Sequence, residues 1–370
     1  MRVLVSGGGT AGHVYPALTV AELVSADARD RVAYVGAPDS LEQRLALEAG
    51  VEFIPVRSTG WDRARPLTLL TGVLTAIAST VRCLALLHRT HTEVVVGFGG
   101  YVSVPLSLAA ILSGVPLVLH EQNSVPGVAN RMLARFARSV CVTYADSVGF
   151  LPHPDRAVVT GNPVRAAVSH AGRVSGREVH HFEDEETVLL VFGGSRGARH
   201  LNTALVGLYA RLERVDGLRV VQIAGPTEAA SVRDALAAVA GTVPAWWQVR
   251  EYVEDMGDLM AAADLVVSRA GATTLAEISV LGKASVLVPY PYATDDHQTR
   301  NAEPFARAGA AVVVSDAELD APLFGDTLVR FLADTGSRAT MERAAATLGR
   351  PDAAAAVLDV LQVAAGRRAV

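Results

Sequence analysis

The chain has 370 residues, half of them apolar and 19% charged, with a formal net charge of −5. Such a length accommodates two domains of ordinary size, each burying its own core, and the composition is that of a globular protein. The balance argues against a duplex nucleic-acid binder, which needs a concentrated basic surface. Positive charge is almost all arginine, Lys283 being the sole lysine. Cys83 and Cys141 lie far apart in apolar stretches and match no metal or redox spacing, so they read as small buried hydrophobes in a reducing compartment. Met1-Arg2-Val3-Leu4-Val5 runs straight into a glycine-rich turn, and no signal peptide is expected there.

Taken in chain order, the first predicted strand, 3–6, leads into Gly7-Gly8-Gly9-Thr10-Ala11-Gly12-His13. This satisfies G-x-G-x-x-G between a strand and a helix, where missing Cβ atoms let backbone amides approach a diphosphate. A dinucleotide site also wants an acid ending the second strand, 32–35. Asp39 comes late for that role, so the nicotinamide reading loses ground. His13 stands where it can take a proton from an attacking hydroxyl, or where it only hydrogen-bonds a ligand or caps the turn; its type and position leave both open.

An apolar run over 66–87 ends near Arg82, His88, Arg89 and His91. Residues 94–119 carry no charge and are long enough to span a bilayer. Gly97, Gly99, Gly100, Pro105, Gly114 and Pro116 punctuate them, which predicts a strand over 93–97, a glycine turn, a short buried helix and a strand over 117–120 instead. His120-Glu121-Gln122-Asn123 follows that strand. Beyond Pro126 a helix would carry Arg131 and Arg135, with Arg138 nearby and Met132, Leu133 and Phe136 interleaved. A strand over 140–143 precedes Gly161-Asn162-Pro163-Val164-Arg165. Residues 166–187 lose apolar periodicity and end in Glu183-Asp184-Glu185-Glu186, which reads as an interdomain connection with a solvated acidic patch.

The strand–loop–helix plan then begins again at 188–192 with Gly193-Gly194-Ser195-Arg196-Gly197, another anion-cradling turn. Strands follow over 219–224, 265–268, 285–288 and 311–314. Runs this apolar predict parallel strands covered by helices on both faces, an α/β architecture. After 265–268 comes Arg269-Ala270-Gly271-Ala272-Thr273-Thr274-Leu275-Ala276-Glu277, whose small residues admit phosphates to a helix N-terminus. Glu277, one turn in, either accepts two vicinal ribose hydroxyls or supplies favourable charge near the helix start. The polar run 289–302, containing Asp296-His297-Gln298 and Asn301, suits the hydroxyls of a sugar or simply opens a helix. Asp352 is placed to cap a last helix over 353–365.

Together, Gly8 to His13, Gly99-Gly100-Tyr101-Val102-Ser103, His120 to Asn123, Gly161 to Arg165, Gly193 to Gly197, Arg269 to Thr274 with Glu277, and Asp296 to Gln298 with Asn301 closely resemble the MurG family, in that family's order and over most of the chain. The resemblance implies a GT-B fold, two Rossmann-like doubly wound domains facing a cleft: residues 1–163 with a returning helix over 352–370, and residues 164–351 binding the donor. It implies transfer of N-acetylglucosamine from its UDP donor to the lipid-linked N-acetylmuramoyl-pentapeptide (lipid I), giving lipid II for peptidoglycan.

Carried over by position, Ser195 and the backbone of Ala272, Thr273, Thr274, Leu275 and Ala276 would hold the diphosphate, Glu277 the ribose, and the backbone of Tyr252 and Val253 the uracil edge. Asn123, Arg165 and Gln298 would meet donor sugar or nucleotide; Thr10, Ala11, Gly12 and His13 would face donor sugar and acceptor diphosphate, with Gly9 and Tyr101 on the acceptor side. Ala11 replaces a glycine common in the first loop, and Trp61-Asp62-Arg63-Ala64-Arg65 departs from the family pattern.

The implied chemistry is inverting displacement with His13 as base. No D-x-D motif is present, so the leaving charge would fall to helix N-termini and loop amides, with no metal or cofactor. A lipid acceptor places the enzyme peripherally on the cytoplasmic side of the membrane, through the basic–apolar surfaces around 66–91 and 126–138. Rival readings are another lipid-linked glycosyltransferase, a UDP-sugar epimerase of the same fold, and a silent nucleotide-sugar sensor.

Overall fold

A computed structural model describes residues 1–58, 67–194 and 198–367. Its helices are α1 (Ala11–Ser25), α2 (Leu41–Glu48), α3 (Leu67–Thr90), α4 (Val104–Ser113), α5 (Val128–Leu133), α6 (Ala166–Ser169), α7 (Arg173–His180), α8 (Arg199–Gly207), α9 (Tyr209–Leu212), α10 (Ala229–Ala240), α11 (Met256–Ala262), α12 (Ala272–Val280), α13 (His297–Ala308), α14 (Pro322–Ala333), α15 (Thr335–Leu348) and α16 (Ala353–Ala364). The strands are β1 (Arg2–Ser6), β2 (Arg31–Gly36), β3 (Glu52–Pro55), β4 (Val94–Gly97), β5 (Leu117–Glu121), β6 (Ser139–Val142), β7 (Ala157–Val159), β8 (Thr187–Phe192), β9 (Leu218–Ile223), β10 (Trp247–Arg250), β11 (Leu265–Ser268), β12 (Ser285–Leu287) and β13 (Ala311–Val313).

The chain forms two compact units, Met1–Arg165 with Arg350–Val370, and Ala166–Gly349. Each is built on one parallel sheet, in the order β3-β2-β1-β4-β5-β6-β7 in the first and β10-β9-β8-β11-β12-β13 in the second. Central strands such as β4 and β11 are buried along their whole length, as their unbroken apolar runs require. Each sheet reverses its winding once, between β1 and β4 and between β8 and β11. In open α/β sheets, ligands bind outside the carboxyl ends of the strands at such a reversal. Both glycine loops leave from there.

Three strands escaped the reading of the sequence: β3, β7 and β10. All three lie at sheet edges, where one side faces solvent and the apolar signal is diluted. The segment 166–187 is also corrected. It belongs to the second unit and folds as α6 and α7 on α11, with Gly176 against the carbonyl of Asp258. Arg177 is buried there and donates to Asp264 at 2.9 Å, while Asp264 also accepts from Arg173 at 2.7 Å and from the Val188 amide at 2.8 Å. Glu183, Asp184 and Glu185 are exposed, as a solvated patch should be.

Lys283 is buried, its ammonium donating to Ala261 and Ala263 carbonyls at the end of α11, and burial brings it down to about 8. Both cysteines are buried free thiols, pushed up to about 12 by that burial. In the first unit α16 lies on α1, with Val357, Leu361 and Ala364 joining Val14, Ala17 and Val24 in the core. Asp352 precedes α16 but makes no side-chain cap bond, contrary to expectation. Residues 94–119 form β4, a turn, α4 and the start of β5; among the described residues no helix is long and apolar enough to cross a membrane.

Candidate active site

In the first unit, three contacts hold the first loop at the winding reversal. The Tyr34 hydroxyl donates to the Gly7 carbonyl at 2.5 Å. Gly100, at φ +76°, packs so closely on Gly8 that a Cβ there would meet its carbonyl oxygen at 2.3 Å, so only glycine fits. The Tyr101 ring edge lies over Gly9. Thr10 is the N-cap of α1 and brings His13 into its first turn. His13 Nδ1 is 3.0 Å from the Gly8 carbonyl and 3.1 Å from Thr10 Oγ1. A carbonyl only accepts, so Nδ1 carries the proton and the neutral ring keeps its lone pair on Nε2. That is the tautomer a general base requires. Asp39 is exposed in the loop before α2, and the carboxylate packed beside Gly8 is that of the buried Glu42, which accepts from the Ala37 amide at 3.4 Å.

At the end of β5, the buried Glu121 carboxylate accepts from the Asn123 amide (3.0 Å), Asn123 Nδ2 (3.2 Å), the Gly127 amide (3.1 Å) and Asn130 Nδ2 (2.8 Å). Its role is to fix Asn123. The Arg165 guanidinium stacks over the Tyr15 ring of α1, 4.2 Å from its centroid.

In the second unit, Gly271 is the N-cap of α12 and offers no side chain, so no side-chain cap covers the start of that helix. Glu277 is buried one turn in. Gln298 Oε1 accepts from the Tyr290 amide at 2.9 Å, and Asn301 Nδ2 donates to the Ala270 carbonyl at 3.3 Å, bracing α13 against both neighbouring loops. Arg269, also buried, donates to the Val288 and Pro289 carbonyls. Val253 packs in the core and Tyr252 is exposed. Ser195 lies outside the described residues, as do Trp61 to Arg65. Among the described residues no group of three or more His, Cys, Asp or Glu is arranged to hold a metal.

Residues 3–142 match the N-terminal domain of glycosyltransferase family 28, and residues 188–357 match its C-terminal domain. The UDP-N-acetylglucosamine–N-acetylmuramyl-(pentapeptide) pyrophosphoryl-undecaprenol N-acetylglucosamine transferase of Desulforudis audaxviator is 38% identical over 370 residues, 99% of each chain. This chain belongs to the MurG family. A crystal structure of Acinetobacter baumannii MurG superposes with a TM-score of 0.76 at 29% identity, covering 98% of this chain and 99% of that one. A UDP-GlcNAc 2-epimerase from Neisseria meningitidis, solved with UDP-GlcNAc bound, gives a TM-score of 0.69 at 13% identity over 98% and 100% of the two chains. That likeness is one of fold alone. The fold is GT-B.

Within this MurG-family chain, the first unit places Gly9, Thr10, Tyr101, Asn123 and Arg165, with Ala11, Gly12 and His13 in the first turn of α1, in the segments that follow the carboxyl ends of its strands. The second gathers Tyr252, Val253, the 272–277 turn and Gln298 at the same edge of its own sheet. The sequence placed Glu121, His120 and Arg269 within its motifs but did not disclose their supporting roles, because burial rather than residue type gives them those roles. His120 donates from Nε2 to the Gly161 carbonyl at 3.0 Å, and its Nδ1 accepts from Gln122 Nε2 at 3.2 Å. Only the neutral ring makes both bonds. Burial holds it neutral, bringing the imidazole down to about 4. In the unfolded chain it protonates near 6.5, so its contribution is full above pH 6.5 and is lost as pH falls toward 4. A shift of that size corresponds to about 3 kcal/mol. Thermal melts at pH 7 and pH 5 should therefore show a smaller acid loss of Tm in His120→Gln than in the parent chain. An equal loss in both would assign the acid sensitivity to other groups.

Proposed function

We propose that this chain transfers N-acetylglucosamine from UDP-N-acetylglucosamine to the 4-hydroxyl of undecaprenyl-diphospho-N-acetylmuramoyl-pentapeptide, releasing UDP and forming lipid II. The observation that carries the reading is the pair of loop sets at the carboxyl edges of both sheets, in a chain that matches MurG-family transferases end to end. The second unit, 164–351 in the domain reading, takes the donor. The α12 amides and Ser195 meet the diphosphate, Glu277 the ribose, and the backbone at Tyr252 and Val253 the uracil. The first unit takes the acceptor through Gly9 and Tyr101, Thr10 to His13 face donor sugar and acceptor diphosphate, and Asn123, Arg165 and Gln298 meet donor sugar or nucleotide.

In the chemical step His13 Nε2 takes the proton of the acceptor hydroxyl as its oxygen attacks the anomeric carbon from the face opposite UDP. The bond from that carbon to the diphosphate oxygen breaks with inversion, and the diphosphate leaves with the electron pair. Amides at the α12 N-terminus stabilise the developing charge, the electrostatic work that makes an obligatory metal unnecessary. Incubated with UDP-N-acetylglucosamine alone, the enzyme should leave the donor intact by proton NMR. Conversion to UDP-N-acetylmannosamine or free sugar would favour the epimerase reading instead.

The acceptor's lipid tail calls for a membrane-facing surface, and exposed apolar side chains on the first unit support that reading. Leu74, Ile77 and Val81, three and four apart on α3, are exposed, as is Leu112 at the end of α4, a helix that packs on α3. Met132 and Phe136 around α5 are 65% and 63% exposed, whereas Leu133, expected to join them, is buried in the core. Arg135 and Arg138 are exposed among them. An adjoining apolar groove of about 850 Å³ includes Ile111, Phe136 and Val158 with Arg138 and Arg156. Exposed apolar side chains ringed by arginine suit peripheral binding to anionic lipid on the cytoplasmic face. Flotation with phosphatidylglycerol-containing liposomes should carry the enzyme upward, with recovery reduced in Met132→Ser/Phe136→Ser. Binding indifferent to anionic lipid would contradict this surface.

A further inference from the structure

The second unit holds a charged chain that the transfer chemistry does not use. His200, in the first turn of α8, places Nδ1 2.7 Å from Asp316 Oδ2 and Nε2 3.1 Å from Asp320 Oδ2. Carboxylates only accept, so both ring nitrogens make their bonds only when both carry protons. On its far side Asp316 meets Arg269 Nη1 at 2.6 Å, and that guanidinium reaches the Val288 and Pro289 carbonyls. Imidazolium, carboxylate and guanidinium thus run in series from the start of α8, past the turn after β13, to the loops that follow β11 and β12. These are three of the loops in the donor reading. The start of α8 is also pressed onto the end of β8, where Gly193 leaves no room for a Cβ beside Ala198.

We propose that His200, held as an imidazolium between Asp316 and Asp320, is a positioning residue for the donor diphosphate, fixing the first turn of α8 so that donor affinity falls when its proton is lost. The inference rests on the donor reading above. Among the described residues, the charged groups around it are accounted for. Asp316 and Asp320 face it from the 316–320 turn, where Glu318 turns away to Ser315. Arg269 stands behind Asp316, and on its own helix Arg199 is turned to Glu228. The hydrogen bonds to Asp316 and then Asp320 raise the imidazole above its ordinary 6.5, against a small opposing effect of burial. The ordered state is therefore complete below pH 6.5 and is lost as pH rises through the raised value.

The test is calorimetric titration of the full chain with UDP-N-acetylglucosamine from pH 6 to pH 8, where neither the doubly esterified diphosphate nor the uracil imide of the donor titrates. The parent chain should bind about fivefold or more weakly at the alkaline end. His200→Ala should bind at that weaker level throughout, and His200→Arg, which keeps a fixed positive charge, should stay tight to pH 8. An alanine variant with the parent's affinity and pH profile overturns the proposal, as does an arginine variant that still weakens with pH. If His200→Ala fails to fold, Asp320→Asn, at an exposed carboxylate, should move the weakening to lower pH, and no movement overturns the role. A parent chain that binds no UDP-N-acetylglucosamine at any pH overturns the donor reading itself. Binding without a pH dependence overturns only the part assigned to His200.

Discussion

His13→Ala is expected to lower kcat by about 10²- to 10⁴-fold, the range that a positioned general base contributes. Donor affinity should stay within about threefold, because the donor's phosphates, ribose and base are assigned to the other unit. The expectation rests on geometry rather than on residue type. Nδ1 meets the Gly8 carbonyl at 3.0 Å, which orients the ring and makes Nε2 the nitrogen assigned as the base. If His13 served only to hold a ligand or to cap the turn, the loss would fall on the Michaelis constant and kcat would move little. Near-normal turnover of His13→Ala at saturating acceptor would remove it as the base. His13→Gln sharpens the comparison, since it keeps a hydrogen-bonding group at the helix start but cannot take the proton.

Glu277→Ala should raise the donor Michaelis constant by about 10²-fold with kcat nearly unchanged. A carboxylate accepting two hydroxyls loses charge-assisted bonds worth about 1.5–3 kcal/mol each, offset in part because alanine leaves no buried charge behind. Glu277 is buried one turn into α12, so an ordinary helix-start effect, worth about 0.3–1 kcal/mol, would change the constant by less than tenfold. A 2′-deoxyribose donor separates the two roles. The parent enzyme should discriminate against it, and the alanine variant should not. An unchanged donor constant in Glu277→Ala would argue against the ribose role.

Strands buried on both faces were legible because nothing but β-branched and apolar side chains fits there; β1, β4, β8 and β11 were read from composition alone. Three edge strands were not: Glu52 in β3 and Gln248 and Arg250 in β10 carry no such constraint, and β7 is only three residues long, whereas the edge strand β13 was read. The segment 166–187 looked like a linker because Arg177 and His180 are polar residues inside a packed layer, and only the approach of Asp264 from a distant part of the chain explains the arginine. Loop residues at the candidate site were found through their glycines and polar side chains. What holds those loops was hidden, because Glu121, His120 and Arg269 act through partners brought near by folding. His200 was missed for the same reason. Its carboxylate partners lie 116 and 120 residues further along the chain.

The central claim is that this chain moves N-acetylglucosamine onto a lipid-linked muramoyl acceptor. Its most direct test is incubation with labelled UDP-N-acetylglucosamine and a short-chain lipid I analogue, with EDTA present. Labelled disaccharide product in the β configuration, with stoichiometric UDP, is the result expected. Tight donor binding with no label on the acceptor, or transfer that appears only when divalent metal is restored, would contradict the account.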